Sequence, residues 1–456
     1  MRFARLSPLA LVLVSAVPLA LACSSSSPDA DPPAIDGGVE ASVSTPDPEK
    51  DAGAPDVVRP AVEPASRLAV ACAQDPCYVA VSGNGGEHVC GLLKDGTVRC
   101  WGRDTRARAE MPSDGGAAEA DGALGRGRVV SVHEGATPAS VVGLTGVKQI
   151  SVGRNLGTCA LTNDGAVYCW GRNEFGQLGR SSDEARLPVA TRVEGLPPAS
   201  AVALGARTGC AIAAGDGALW CWGARSTQIG SAAAPGDGDT FPPQVMIGFT
   251  APIRELAIGT TPADDTDLGQ DTIVALQGGG VLASLGHFPA GESSVPEPIS
   301  SEPQVLHDVV RVGAFGYLDR SGILSRWLPA PRALYVLNAA TVVDVTITAG
   351  AAFIDTKWTN YVEQGGILLS SGKLFRWGRN TSGALGYAPN VLDIADEPLD
   401  MSHVAGDRVV SFAMTAASTC VSLVDGTVKC WGANQRGELG RGTVDPAQHP
   451  EAELIR

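Results

Sequence analysis

Short runs in which apolar and polar positions alternate, each broken by an Asp-Gly or a lone glycine, recur from residue 88 onward. The clearest run is Cys90-Gly-Leu-Leu-Lys-Asp95-Gly96-Thr-Val98-Arg-Cys100-Trp101-Gly102. The phrase returns at Cys159 to Gly171, Cys210 to Gly223 and Cys420 to Gly432. Weaker copies centre on Gly280 to Gly286, Gly322 to Trp327 and Gly372 to Gly378, making seven. Period-two alternation on both sides of Asp-Gly is the signature of a β-hairpin. Opposing Cys90 to Cys100 sets Leu93 against Thr97 and leaves the loop Lys94-Asp95-Gly96, with glycine where a left-handed backbone is required. The third copy has one extra residue, and a four-residue loop, Ala214 to Gly217, keeps its register.

A hairpin cannot bury its apolar face alone, so repeated hairpins should stack or close radially, which also protects their edges. Most copies continue into Gly-x-Leu-Gly: Gly122 to Gly125, Gly176 to Gly179, Gly383 to Gly386 and Gly437 to Gly440. With Asn173 and Asn434 after Trp-Gly and His88 just before the strand, the pattern resembles the repeat of the regulator-of-chromosome-condensation family. The resemblance covers 67–456 and implies an all-β chain: a seven-bladed β-propeller, each blade a four-stranded antiparallel sheet. His88 then reads as a structural repeat residue rather than a ligand. Successive Trp-Gly positions lie 42 to 69 residues apart, so insertions sit between blade cores, the longest near 103–146.

The chain ahead of the repeats reads as an address. Arg2 and Arg5 precede an apolar stretch, Leu9 to Ala22, whose fourteen residues would rise only about 21 Å as a helix. That is too short to span a bilayer and predicts a signal peptide at 1–22. Leu19-Ala20-Leu21-Ala22-Cys23 resembles the lipobox of bacterial lipoproteins, which implies lipidation of Cys23. The other reading is ordinary cleavage after Ala22, with Cys23 incidental. Residues 23–66 read as a disordered tether: eight prolines, a serine run and a charge of −7 cannot offset chain entropy.

Apart from Cys23, ten cysteines remain. Eight occupy the two hairpin positions, and every copy has both or neither; Val274/Ser284, Gly316/Arg326 and Gly366/Arg376 replace them together. That in-phase loss predicts disulfides Cys90–Cys100, Cys159–Cys169, Cys210–Cys221 and Cys420–Cys430, since opposed strand positions come within bonding range. Cys72 and Cys77 can close a small loop at the start of the ring; zinc is the weaker reading of that pair.

Composition narrows function by exclusion. A net charge of −15 over 456 residues, with charged residues at 18%, argues against nonspecific nucleic-acid or anionic-lipid binding. The six histidines show no His-Glu-x-x-His, and neither a nucleophile elbow nor a phosphate loop is present. Asp264, Asp265, Asp267 and Asp271, with Gly269, could gather oxygen ligands for calcium, against the reading of a solvated acidic loop. Trp220 and Trp358 alone among the tryptophans lie outside the repeat position, as binding aromatics or half-buried loop residues. The other six tryptophans are expected to pack between blades. No cofactor or metal is expected. The expectation is a non-catalytic, monomeric propeller, lipid-anchored at the bacterial outer membrane, binding an envelope or extracellular protein or polysaccharide through face loops. A secreted-side enzyme inhibitor and a glycan-active glycosidase or lyase are the alternatives.

Overall fold

Each Asp-Gly phrase closes a hairpin in the register its alternation dictates. In the first, Leu93 N–H donates to Thr97 O at 2.9 Å and Gly96 N–H to Leu93 O at 3.0 Å, with Gly96 at φ +79°. Cys90 lies opposite Cys100, Cys159 opposite Cys169, Cys210 opposite Cys221 and Cys420 opposite Cys430. In the copies without cysteine the same register pairs Val274 with Ser284, Gly316 with Arg326 and Gly366 with Arg376. The computed structural model describes residues 66–105, 121–224, 240–246, 249, 252–260, 271–280, 282–289, 296–298, 304–306, 309–313, 316–326, 332–336, 341–348, 364–380 and 382–455. Cys23, the signal peptide and all but the last residue of the tether lie outside them, as do Asp264, Asp265, Asp267, Gly269, Trp327 and Trp358.

Among the described residues the strands form seven antiparallel sheets, each built from consecutive strands in chain order. The first comprises Tyr78–Ser82, His88–Leu93, Val98–Gly102 and Ala139–Ser140; the fourth has a fifth strand. The first strands of successive sheets are Tyr78–Ser82, Val147–Val152, Ala199–Leu204, Ile253–Thr260, Val309–Val312, Val342–Thr348 and Val409–Met414. They lie against one another in sequence through the sixth sheet. Val409–Met414 packs on the second strand of the sixth sheet, Gln364–Leu369, and returns to Tyr78–Ser82. The molecule is an all-β β-propeller.

The apolar core sits in the seams between sheets and divides into six clusters. One of these runs unbroken through the fourth, fifth and sixth sheets, from Val274 to Trp377. Small polar residues on the first strands stitch neighbouring sheets together. Val152 N–H donates to Ser82 Oγ at 3.1 Å, Leu204 N–H to Ser151 Oγ at 3.0 Å and Val81 N–H to Ser411 Oγ at 2.8 Å.

Five disulfides are present. The four hairpin bonds, Cys90–Cys100, Cys159–Cys169, Cys210–Cys221 and Cys420–Cys430, hold Cα atoms 4.0 to 4.1 Å apart; Cys72–Cys77 spans 5.6 Å. The last belongs to a strap, residues 66–77, laid along the seventh sheet. Ala71 N–H donates to Val424 O, Ala73 N–H to Asp425 O and Tyr78 N–H to Gly426 O, while Arg67 reaches Val410 O and pairs with Asp344 of the sixth sheet.

Candidate interaction faces

Antiparallel alternation sorts the loops. Those joining the first to the second strand and the third to the fourth open on one face, which carries Gly-x-Leu-Gly. The Asp-Gly hairpin turns and the connections between sheets open on the other.

On the Gly-x-Leu-Gly face the repeat residues are spent on structure. The indole of each well-conserved hairpin is buried and donates to the carbonyl of the variable residue in the preceding sheet's Gly-x-Leu-Gly. Trp170 Nε1 reaches Ala123 O at 3.0 Å, Trp222 Nε1 Gln177 O at 2.8 Å and Trp431 Nε1 Ala384 O at 2.9 Å. Trp101 Nε1 reaches Glu438 O at 2.9 Å, joining the first sheet to the last. The asparagine after Trp-Gly brackets the same loop. Asn173 Oδ1 accepts from Leu178 N–H at 2.9 Å while its Nδ2 donates to Ser181 O and Glu184 O. Asn380 repeats this with Leu385 N–H, Tyr387 O and Leu392 O, and Asn434 with Leu439 N–H and Thr443 O. In the first sheet Asp104 stands there and meets two donors, Leu124 N–H at 2.8 Å and Val130 N–H at 2.9 Å, so a carboxylate replaces the amide.

His88 is fully buried at the seam between the first and second sheets, with Nε2 2.8 Å from Thr158 Oγ1. Burial pushes its pKa down to about 4, so the ring is neutral at physiological pH. Asp271 is no loop ligand. It opens the strand Asp271–Gln277, is buried, and accepts from the N–H groups of Ala206, Arg207 and Thr208 and from Thr260 Oγ1 at 2.6 to 3.0 Å. Its carboxylate clamps the third sheet's first loop to the fourth sheet. Trp220 is half-buried within the strand Leu219–Ala224 rather than in a loop. Where the sixth sheet lacks its cysteines, Arg376 fills the seam fully buried, donating to Ala384 O, Gln364 Oε1 and Thr419 Oγ1. Desolvation lowers its pKa to about 9. A Cβ on the opposed Gly366 would sit 2.5 Å from Phe412, so this pair cannot simply revert to cystine.

What remains for recognition on this face is charged and aromatic. Arg207 stacks over the Phe175 ring at 4.3 Å, Arg172 bonds Asn155 and Glu174, and Arg154 reaches Thr260 O. Across the closing seam Glu87 pairs with Arg103 and lies 3.6 Å from Arg436. Glu438, nearly buried beside them, accepts from Arg436 N–H at 2.8 Å, and burial, aided by Glu87, pushes its pKa up to about 7. No local pattern signals this quartet, because Glu87 and Arg103 stand in the first repeat and Arg436 and Glu438 in the last. The acidic positions of the other face, Asp95 and Asp425, each bind the N–H and hydroxyl of a threonine two residues on and are depressed by it.

The ring of hairpin sheets with indole-to-carbonyl latches defines a repeat propeller, and the comparisons specify the repeat. Two models described as the regulator of chromosome condensation (RCC1) repeat match this chain, one at 78–107 and 147–177, the other at 164–212. Residues 78–107 and 147–212 therefore match RCC1-type repeats. Among curated relatives, the human E3 ubiquitin-protein ligase HERC2 is 26% identical over 73% of this chain, which spans 6% of that protein. Protein pim1 of Schizosaccharomyces pombe is 36% identical over 25% of this chain and 21% of its own length. The ultraviolet-B receptor UVR8 of Arabidopsis thaliana is 23% identical over 80% of each chain. Of solved structures, Prp20p from Saccharomyces cerevisiae, studied with its binding properties to Gsp1p and histones, superposes with a TM-score of 0.60 at 16% identity. It covers 85% of this chain and 90% of its own. Human WBSCR16 gives 0.56 at 16% identity over 79% and 94%. At such identities these structures speak for the fold alone.

Proposed function

We propose that the chain is a lipid-anchored, non-catalytic propeller of the bacterial envelope, with one blade for each of seven repeats, that binds a protein or surface polymer through its face loops. The observation that carries this reading is the fate of the buried polar side chains. His88, Asp104, Asn173, Asp271, Asn380 and Asn434 are each engaged in holding loops and sheets in place, while Glu87, Phe175 and Arg207 stand on loops. Loops on a rigid scaffold are where recognition concentrates. Binding of Gsp1p and histones by Prp20p illustrates protein recognition by a fold of this kind, without transferring those partners here. Cystine in five pairs suits an exported protein, and the sequence around Cys23 supplies an anchor.

Two measurements test this. Radiolabelled palmitate should enter the full chain and not the Cys23→Ala variant; labelling of neither removes the anchor. Crosslinking in intact envelopes followed by affinity capture should recover one enriched partner. Recovery of none, or glycan turnover abolished by a single carboxylate substitution, would reject the binding role.

A further inference from the structure

The Asp-Gly face bears one cleft with an unusual lining. Its volume is about 280 Å³, near the lower end of small-ligand sites. One wall is the connection into the second sheet, Gly143 to Gly146; the other is that sheet's own hairpin turn with Asn163 and Asp164, and Tyr168 from the following strand. Gly143 and Gly146 have φ of +73° and +66°; a Cβ on Gly143 would meet nothing within 4 Å, so backbone faces open space there, and one on Gly146 would lie 3.8 Å from Asn163 Nδ2.

Three functional groups in the cleft, the Thr145 hydroxyl, the Asn163 amide and the Tyr168 hydroxyl, make no hydrogen bond to other described residues. In Asp164 one oxygen is committed, Oδ1 accepting from Thr162 Oγ1 at 2.5 Å and from Ala166 N–H at 3.3 Å. Those bonds depress its pKa, so it is an anion at neutral pH with its second oxygen left as an acceptor. Thr145, Asn163 and Asp164 are exposed, and Tyr168 is half-buried. The lining therefore combines a fixed carboxylate acceptor, an amide that both donates and accepts, two hydroxyls and one aromatic ring. An anionic ligand would meet the Asp164 carboxylate, and an apolar one would strand four polar groups. Vicinal hydroxyls on a ring with an apolar C–H face satisfy all of them: a carboxylate and an amide bind the diol, and the tyrosine ring covers the C–H face.

We propose that this cleft binds a neutral sugar ring, at a glycan terminus or within a chain. The proposal rests on the reading that the protein engages its partner through face loops, and it names the partner's chemistry. The test is titration calorimetry, with saturation-transfer NMR, of the full chain against methyl glycosides of glucose, galactose, mannose and N-acetylglucosamine and short oligosaccharides of each. At least one should bind saturably. Asn163→Ala and Thr145→Arg, both at exposed positions, should weaken it by about tenfold or more with thermal melting unchanged, and Val391→Ala, at an exposed loop position on the opposite face, should leave it intact. Binding of none of these sugars, or binding that both cleft variants leave unaltered, overturns the assignment. If sugar binding fails while envelope crosslinking still yields a partner, this inference alone falls; if both fail, the proposed function falls with it.

Discussion

His88 and Glu438 flank the first sheet on opposite seams, and they titrate in opposite senses. Glu438 holds its proton to about pH 7 when folded, against about 4.5 when unfolded. The folded state thus binds the extra proton, and stability falls as pH rises from about 4.5 through 7. His88 is held to about 4 when folded, against about 6.5 unfolded, so here the unfolded state binds the extra proton. Stability then falls as pH drops from about 6.5 to 4. Each wing is worth at most on the order of 3 kcal/mol. Glu438→Gln should flatten the alkaline wing and stabilise the protein above pH 7, because Gln177 already fills the equivalent place, accepting from Phe175 N–H at 3.0 Å. His88→Gln should flatten the acid wing. Urea midpoints across pH 4 to 9 check both; a Glu438→Gln variant that keeps the wild-type alkaline slope would refute the assignment. Of these residues, His88 was legible as structural from its place in the repeat. Glu438 was not, because its position reads Ala, Gln, Ala and Glu across four copies and nothing local signals burial. Asp271 misled for the opposite reason: nearby aspartates suggested a ligand cluster, while the three backbone N–H groups it binds lie 63 to 65 residues away.

In the loops that follow Trp101-Gly102, Trp170-Gly171, Trp377-Gly378 and Trp431-Gly432, one side chain decides how the turn is held. Asn173 faces one N–H and several carbonyls, whereas Asp104 faces two N–H groups. The two are therefore not interchangeable. Asn173→Asp turns an acceptor toward the carbonyls of Ser181 and Glu184, and Asp104→Asn turns a donor toward an N–H. Each swap should cost about 1–3 kcal/mol in chemical denaturation, although it changes a single atom type. Equal stability of either variant to wild type would show that the bracket is dispensable. Trp170→Phe, which strands the buried carbonyl of Ala123, should cost a similar amount. The hairpins themselves were readable from alternation and Asp-Gly, since strand pairing within a hairpin is local. The latches were not, because each spans from one repeat to the next, 45 to 47 residues away, or 337 at the closure.

For the whole molecule, the first and last sheets meet at one seam. Closure there depends on Trp101 against Glu438, on the parallel bridge between Asn84 and Met414, and on the strap across the seventh sheet. The Cys72–Cys77 bond closes only a short loop, so its direct effect should be small, about 2 kcal/mol or less. In the full chain, Cys72→Ser with Cys77→Ser should lower the melting temperature slightly and raise exchange of the Ala71, Ala73 and Tyr78 amides, which donate across the strap. Unchanged exchange there would show that the strap holds without its staple. Sequence established the sheets and their order, because each repeat announces itself; it could not reveal the strap, whose residues carry no repeat signal and find their partners some 350 residues onward.

Among the described residues, each sheet is built from strands consecutive in the chain, and the last is completed by its own C-terminal strand, Asp445–Leu454, with none of its four strands drawn from the first sheet. The circle is thus shut by side-chain packing, the backbone bridge at Asn84 and Met414, and a belt, rather than by a sheet shared between the first and last repeats. New termini cut into an Asp-Gly turn, with the old ends linked, should yield the same circle opened elsewhere, and duplication of one repeat-encoding stretch would enlarge it without unpicking any existing sheet.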